Sequence, residues 1–280
     1  MLNVLLDTFI DLAKLLPLLF LAYLLMEFLE QRMGEKTELA IRKAGRFGPL
    51  AGGALGIVPQ CGFSAAASGL FSGGVITPGT LLAVFLSTSD EMLPIMISNR
   101  ADILLILKIL AVKLAVGVAV GFAADAVFKN MPRPCISEIC RREHCHCKEG
   151  GIFFSALKHT LSVALFIFIV SLALNAAVYF IGTENLSSII IAQPVIGSVI
   201  TAAVGLIPNC AASVLITELY LDGVITAGAL ISGLLSGSGI GLLVLFRTNK
   251  NLKQNLLILS GLFAVGAVTG VVFDVLGVAF

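Results

Sequence analysis

From Ile103 to Phe128 only Lys108, Lys113 and Asp125 carry charge, and from Ile152 to Phe180 only Lys158 does. Leu15 to Phe28 and Leu256 to Phe280 are similarly apolar. About 20 apolar residues cross a ~30 Å hydrocarbon core as helix, so these stretches read as spanning helices rather than buried strands. A chain of 280 residues that is 58% hydrophobic and 12% charged carries more apolar surface than one soluble core could cover. The expected fold is an all-α polytopic membrane protein. Its leading apolar segment lacks a basic start and a small-residue cleavage site, which predicts a retained helix rather than a signal peptide.

The net charge of +1 and the absence of basic runs interleaved with aromatics exclude nucleic acid as a partner. The six cysteines do not form an extracellular disulfide framework: four crowd between Cys135 and Cys147, while Cys61 and Cys210 sit alone in apolar sequence. That split predicts two different jobs.

A shift of 149 positions lays Gly56–Ser64 (GIVPQCGFS) over Gly205–Ser213 (GLIPNCAAS), and Gly74–Thr77 over Gly223–Thr226. The same shift carries Ser87 and Ser89 onto Ser236 and Ser238, and Asp125 onto Asp274. One offset sustained along the chain indicates duplication. The expected organisation is a first membrane repeat at 1–130, a polar linker at 131–150 and a second repeat at 151–280. Lysine and arginine gather between Glu30 and Arg46, between Lys129 and Lys148, and from Arg247 to Lys253. Since such clusters mark cytoplasmic loops, all three belong on one side, both termini outside. An odd number of crossings per half then inverts the second repeat relative to the first, the plan of many secondary transporters.

Pro59-Gln60-Cys61 and Pro208-Asn209-Cys210 each lie between apolar arms of about a dozen residues, too short to cross the core at ~1.5 Å per residue. A re-entrant or broken-helix hairpin is predicted at each. Proline removes a backbone donor, and irregular backbone at membrane depth is tolerated only inside protein or along a watery cavity. The tips are therefore candidate substrate sites, presenting Cys61 and Cys210, Gln60 and Asn209, and Ser64 and Ser213 one turn on. Soft thiols favour a thiophilic metal or metalloid; the carboxamides and helix N-termini suit an oxyanion equally well. A lone membrane cysteine also serves as a small buried hydrophobe, a reading that recurrence beside proline weakens.

The linker packs Cys135, Cys140, His144, Cys145, His146 and Cys147 into thirteen residues, a metal-binding composition that matches no zinc-finger spacing. It predicts soft-metal capture, sensing or delivery, with a structural zinc clip or incidental cysteines as the plainer alternative. Asp90, Glu91 and Glu218 are candidate ion-coupling carboxylates, because charge in a membrane segment marks an ion or proton path by default. Lys108 or Lys113 could neutralise one of them. Asp125 and Asp274, at helix ends, read as interfacial or packing residues.

The twin Pro-Gln-Cys-Gly and Pro-Asn-Cys motifs, the duplication and the Cys/His-rich loop together resemble the arsenic-efflux-like family of ten-helix heavy-metal exporters, whose members are also described as manganese transporters. A more distant likeness is to permeases for organic arsenicals. The resemblance implies metal or metalloid efflux and singles out Pro59, Gln60, Cys61, Pro208, Asn209 and Cys210. The expected location is a prokaryotic cytoplasmic (inner) membrane, and the basic residues flanking the Cys/His loop predict that it lies on the cytoplasmic side.

The function expected is secondary export of a thiophilic ion, arsenite-like or divalent, by alternating access. Alternatives are a small-oxyanion or anionic lipid-phosphate carrier and a non-transporting metal sensor. The chain has no Gly-rich phosphate loop, so energy would come from an ion gradient or a separate ATPase subunit. An enzyme is not expected: there is no His-Glu-x-x-His and no Gly-x-Ser-x-Gly. No cofactor is required beyond a metal ion at the linker. The expected partners are the lipid bilayer, the transported ion and, as a homodimer, a second copy of the chain.

Overall fold

The computed structural model describes residues 45–58, 61–89, 92–128, 151–181 and 194–278, with scattered helical residues between 13 and 24. Every regular element among them is a helix. After a 3-10 turn at Gly45–Phe47 come α1 (Gly48–Gly56), α2 (Cys61–Ser72), α3 (Pro78–Ser87), α4 (Met92–Ser98), α5 (Ile103–Val127) and α6 (Gly151–Ile181). Then follow α7 (Pro194–Gly205), α8 (Cys210–Leu221), α9 (Ala227–Ser236), α10 (Gly241–Thr248) and α11 (Leu252–Val275). A 149-residue shift carries both ends of α2 and α3 onto those of α8 and α9, and the starts of α4 and α5 onto those of α10 and α11.

Local chemistry explains why the boundaries coincide. Gly74 and Gly223 adopt left-handed φ of 73° and 71°, closing α2 and α8. Val75 N donates to Leu70 O and Gly74 N to Phe71 O; Val224 N to Leu219 O and Gly223 N to Tyr220 O repeat the pattern. This glycine-ended closure satisfies the last carbonyls of a helix. Three residues later Thr77 and Thr226 cap the next helix, their hydroxyls accepting Thr80 N at 3.0 Å and Ala229 N at 3.1 Å. Such caps contribute about 0.5–2 kcal/mol each, and Pro78 at the first position of α3 costs no hydrogen bond.

Four stretches among the described residues are long and apolar enough to cross a membrane: 78–98, 103–127, 227–248 and 252–275. They divide sharply in burial. The first and third are 75% and 83% buried, whereas the α5 and α11 stretches are each 22% buried. Thus α3 and α9 form the centre, and α5 and α11 leave much of their surface outside the packed interior. Small residues allow the close approach, as membrane helices require where no hydrophobic drive exists between them. A Cβ at Gly121 would meet Gly79, Pro49 and Ala83; one at Gly270 would meet Gly228, Ser198 and Ser232.

Aspartates lock the same corners. Asp125, near the end of α5, accepts from Thr77 Oγ1 at 2.8 Å and from Gly79 N at 2.9 Å. Asp274 accepts from Ser198 Oγ on α7 and lies against Gly228 at the head of α9. Both carboxylates therefore hold helix ends together, a packing role.

The halves interlock. Helix α2 packs on α10 and α8 packs on α4. A second cluster joins Leu19 and Tyr23 of the early helical residues to Ala156, Val163 and Ile167 of α6 and to Ile240 and Val244 beside the break before α10.

Candidate functional site

Among the described residues, α1 ends at Gly56 before α2 starts at Cys61, α3 ends at Ser87 before α4 starts at Met92, α7 ends at Gly205 before α8 starts at Cys210, and α9 ends at Ser236 before α10 starts at Gly241. Helix α1 has 9 residues, and α2, α7 and α8 have 12 each. At ~1.5 Å per residue, none reaches ~30 Å.

The breaks touch one another. Ser89 Oγ, in the second break, donates to Ile57 O in the first at 2.5 Å. A Cβ on Gly56 would overlap Ser87 Oγ, and one on Gly205 would overlap Gly233 O and crowd Ser236 Oγ. In each half, then, the end of the helix that precedes the Pro-x-Cys motif sits against the end of the central helix.

One cation ties the two halves. Lys113, in the middle of α5 and 1% exposed, donates from Nζ to Thr88 O at the end of α3 and to Leu234 O near the end of α9, the latter at 2.8 Å. Helix C-termini carry unpaired carbonyls and partial negative charge, which makes their meeting point a suitable seat for an ammonium. The same offset places Leu262 where Lys113 stands, and Leu262 is fully buried. The site is thus asymmetric.

Around the second motif, Asn209 caps α8, its Oδ1 accepting from Ala211 N at 3.2 Å. Cys210 is a buried thiol at the first position of α8, and its carbonyl accepts from Ser213 Oγ at 2.8 Å. Pro208 is half-buried in the interruption. In the first motif Cys61 begins α2 and Ser64, one turn on, is fully buried. Pro59, Gln60 and the Cys61 side chain lie outside the described residues, as do Asp90, Glu91 and the linker ligands Cys135, Cys140, His144, Cys145, His146 and Cys147. Glu218 is exposed, four residues before the α8 C-cap, Asp222. Among the described residues no group of three or more His, Cys, Asp or Glu could hold a metal ion.

Helices α2 and α10 run side by side in the same direction. Ser68 Oγ donates to Gly241 O at 2.7 Å, and Ser72 Oγ meets Thr248 Oγ1 at 2.6 Å. A Cβ at Gly241 would collide with Ser64. The α2–α10 seam therefore unites the first-half cysteine helix with the second-half interruption.

A family model described as "Putative, 10TM heavy-metal exporter" matches residues 1–180. The chain belongs to this family. No curated protein and no solved structure gives a match. As a member of the exporter family, the chain is a multi-pass membrane transporter rather than an enzyme, and it sits in a lipid bilayer. The matched region contains the first Pro-x-Cys motif, Lys113, the Cys/His linker and most of α6.

Residue-level reasoning on the sequence missed the inter-half position of Lys113, the Ser68 bridge and Ser238. The offset that aligned Ser89 with Ser238 was a signal for the last of these, though it could not say which serine has a partner.

Proposed function

We propose that the chain exports a thiophilic metal or metalloid ion by alternating access between two inverted halves. The observation that carries this reading is the meeting of interrupted helices from both halves at one buried locus, joined by Lys113. Interrupted helices expose backbone groups that neither lipid nor helix can satisfy, and transporters use such places near the midplane to bind substrate. Cys61 and Cys210 head α2 and α8 and supply the soft ligands; Gln60, Asn209, Ser64 and Ser213 complete the tips with oxygen and nitrogen groups. The coincidence of element boundaries under one offset supports two related halves, and the distribution of basic residues supports their inversion.

In this reading the thiols bind the ion, and rocking of one half on the other moves the site from the cytoplasmic to the outer face. An ion gradient drives the cycle, with Asp90, Glu91 and Glu218 as coupling candidates. The Cys/His linker collects metal on the cytoplasmic side.

Flux into and out of proteoliposomes tests the reading, with arsenite, Mn²⁺, Zn²⁺ and phosphate offered in turn. Wild type should move one thiophilic ion down an imposed gradient, and the double variant Cys61→Ser, Cys210→Ser should not. Equal flux in both would remove the thiols from the mechanism.

A further inference from the structure

Ser238 lies in the interruption before α10, 1% exposed, and its hydroxyl has no hydrogen-bond partner. Its register mate Ser89 is satisfied by Ile57 O. Leaving a buried hydroxyl unpartnered is costly, and unpartnered groups of this kind are rare in folded proteins, where they call for a specific reason such as a ligand. The helix that follows has no side-chain cap: its N-cap residue is Ile240, whose side chain cannot accept a hydrogen bond. Of the amides at this end, Gly241 N donates to Ser238 O at 3.2 Å.

The neighbour sharpens the point. Because α2 and α10 run parallel and Gly241 lies between the levels of Ser64 and Ser68, their N-terminal ends fall within about a turn or two of each other at 1.5 Å per residue. Two helix N-termini side by side place two partial positive ends together, an arrangement that favours an electron-rich group and opposes a bare cation. Cys61 begins one of these helices and Ser238 precedes the other, so a soft ligand and an oxygen-recognising hydroxyl belong to the same end of the same helix pair.

We infer that Ser238 and the head of α10 form an oxygen-binding subsite beside the Cys61 tip, and that the species bound there is a small oxyacid or oxyanion, a central atom bearing hydroxyl or oxide oxygens, rather than a naked divalent cation. The inference rests on the exporter reading for its use in transport but not for the binding itself. The Ser238 hydroxyl hydrogen-bonds the oxygens, and the partial positive charge at the head of α10 favours them.

The test is equilibrium binding to the purified full chain in detergent, using labelled arsenite, inorganic phosphate and Mn²⁺. The variants are Ser238→Ala, Ser238→Thr as the hydroxyl-retaining rescue, and Ser260→Ala on the exposed face of α11 as control. Loss of one hydrogen bond to an oxyanion should weaken binding roughly tenfold. The expected result is saturable binding of arsenite or phosphate, weakened about tenfold by Ser238→Ala, restored by Ser238→Thr and untouched by Ser260→Ala. Arsenite alone would identify a thiophilic oxyacid; phosphate as well would identify a general oxyanion site. Binding of Mn²⁺ only, of neither oxygen-bearing probe, or of either with equal strength in Ser238→Ala overturns the inference. Serine-dependent binding without flux in proteoliposomes would leave the subsite standing and remove the exporter reading.

Discussion

Lys113 offers a perturbation that separates hydrogen bonding from packing at the centre of the protein. Lys113→Met removes the bonds to Thr88 O and Leu234 O. At about 1.5–3 kcal/mol for each hydrogen bond to a charged group, the loss is roughly 3–6 kcal/mol. The same change removes the penalty of holding an ammonium away from water, several kcal/mol for a side chain that is 1% exposed. The two nearly offset, and a methionine fills most of the space of the lysine stem. Stability should therefore fall by no more than about 2 kcal/mol. Lys113→Ala forfeits the same bonds and leaves a cavity in addition, a further ~2–5 kcal/mol. Unfolding of the purified variants in mixed micelles titrated with dodecyl sulfate, followed by far-ultraviolet circular dichroism, measures both. If methionine destabilises as much as alanine, the supposed cancellation is wrong and the ammonium itself holds the centre together. In proteoliposomes, Lys113→Met should lose gradient-driven flux while remaining folded, because Thr88 O and Leu234 O, which the lysine bridges, belong to different halves.

Asp125→Ala and Asp274→Ala should each lower stability by about 1–3 kcal/mol through lost bonds to Thr77, Gly79 and Ser198; thermal unfolding in detergent would show it, and unchanged midpoints would rule out a packing role. Gly228→Ala drives a methyl into Asp274 and Gly270 and should cost about 1–3 kcal/mol, while Gly261→Ala, with nothing within 4 Å, should fold and unfold like wild type. Replacing Cys135, Cys140, Cys145 and Cys147 with serine should abolish retention of soft metal by the purified chain, read by elemental mass spectrometry, without lowering its helical content; retained metal would reassign the linker.

The apolar runs made the helices legible; the Gly74–Thr77 and Gly223–Thr226 tetrads read only as marks of duplication, and that they also close α2 and α8 and cap α3 and α9 is local chemistry added by the structure. Asp125 was readable as a packing residue from its place at a helix end, though its partners across 46 and 48 positions were not. Lys108 or Lys113 read as neutralising one of the candidate carboxylates, of which Asp90 and Glu91 lie outside the described residues; the bonds of Lys113 to Thr88 O and to Leu234 O, 121 residues away, left no trace in the sequence. The crossed pairing of α2 with α10 and α8 with α4 left no periodic trace, because Ser68, Ser72 and Gly241 look like any small residues of a membrane helix until the other half is beside them. Ser89 and Ser238 were equivalent by register, and only three-dimensional packing distinguishes the satisfied hydroxyl from the orphaned one.

The crossed pairing also has a mechanical consequence. Contacts through Ser68 to Gly241, Ser72 to Thr248 and Lys113 to Leu234 join the halves without using any covalent connection between 129 and 150. A protease cut there would sever the polypeptide but not the particle, and the two fragments should elute as one from a sizing column in mild detergent.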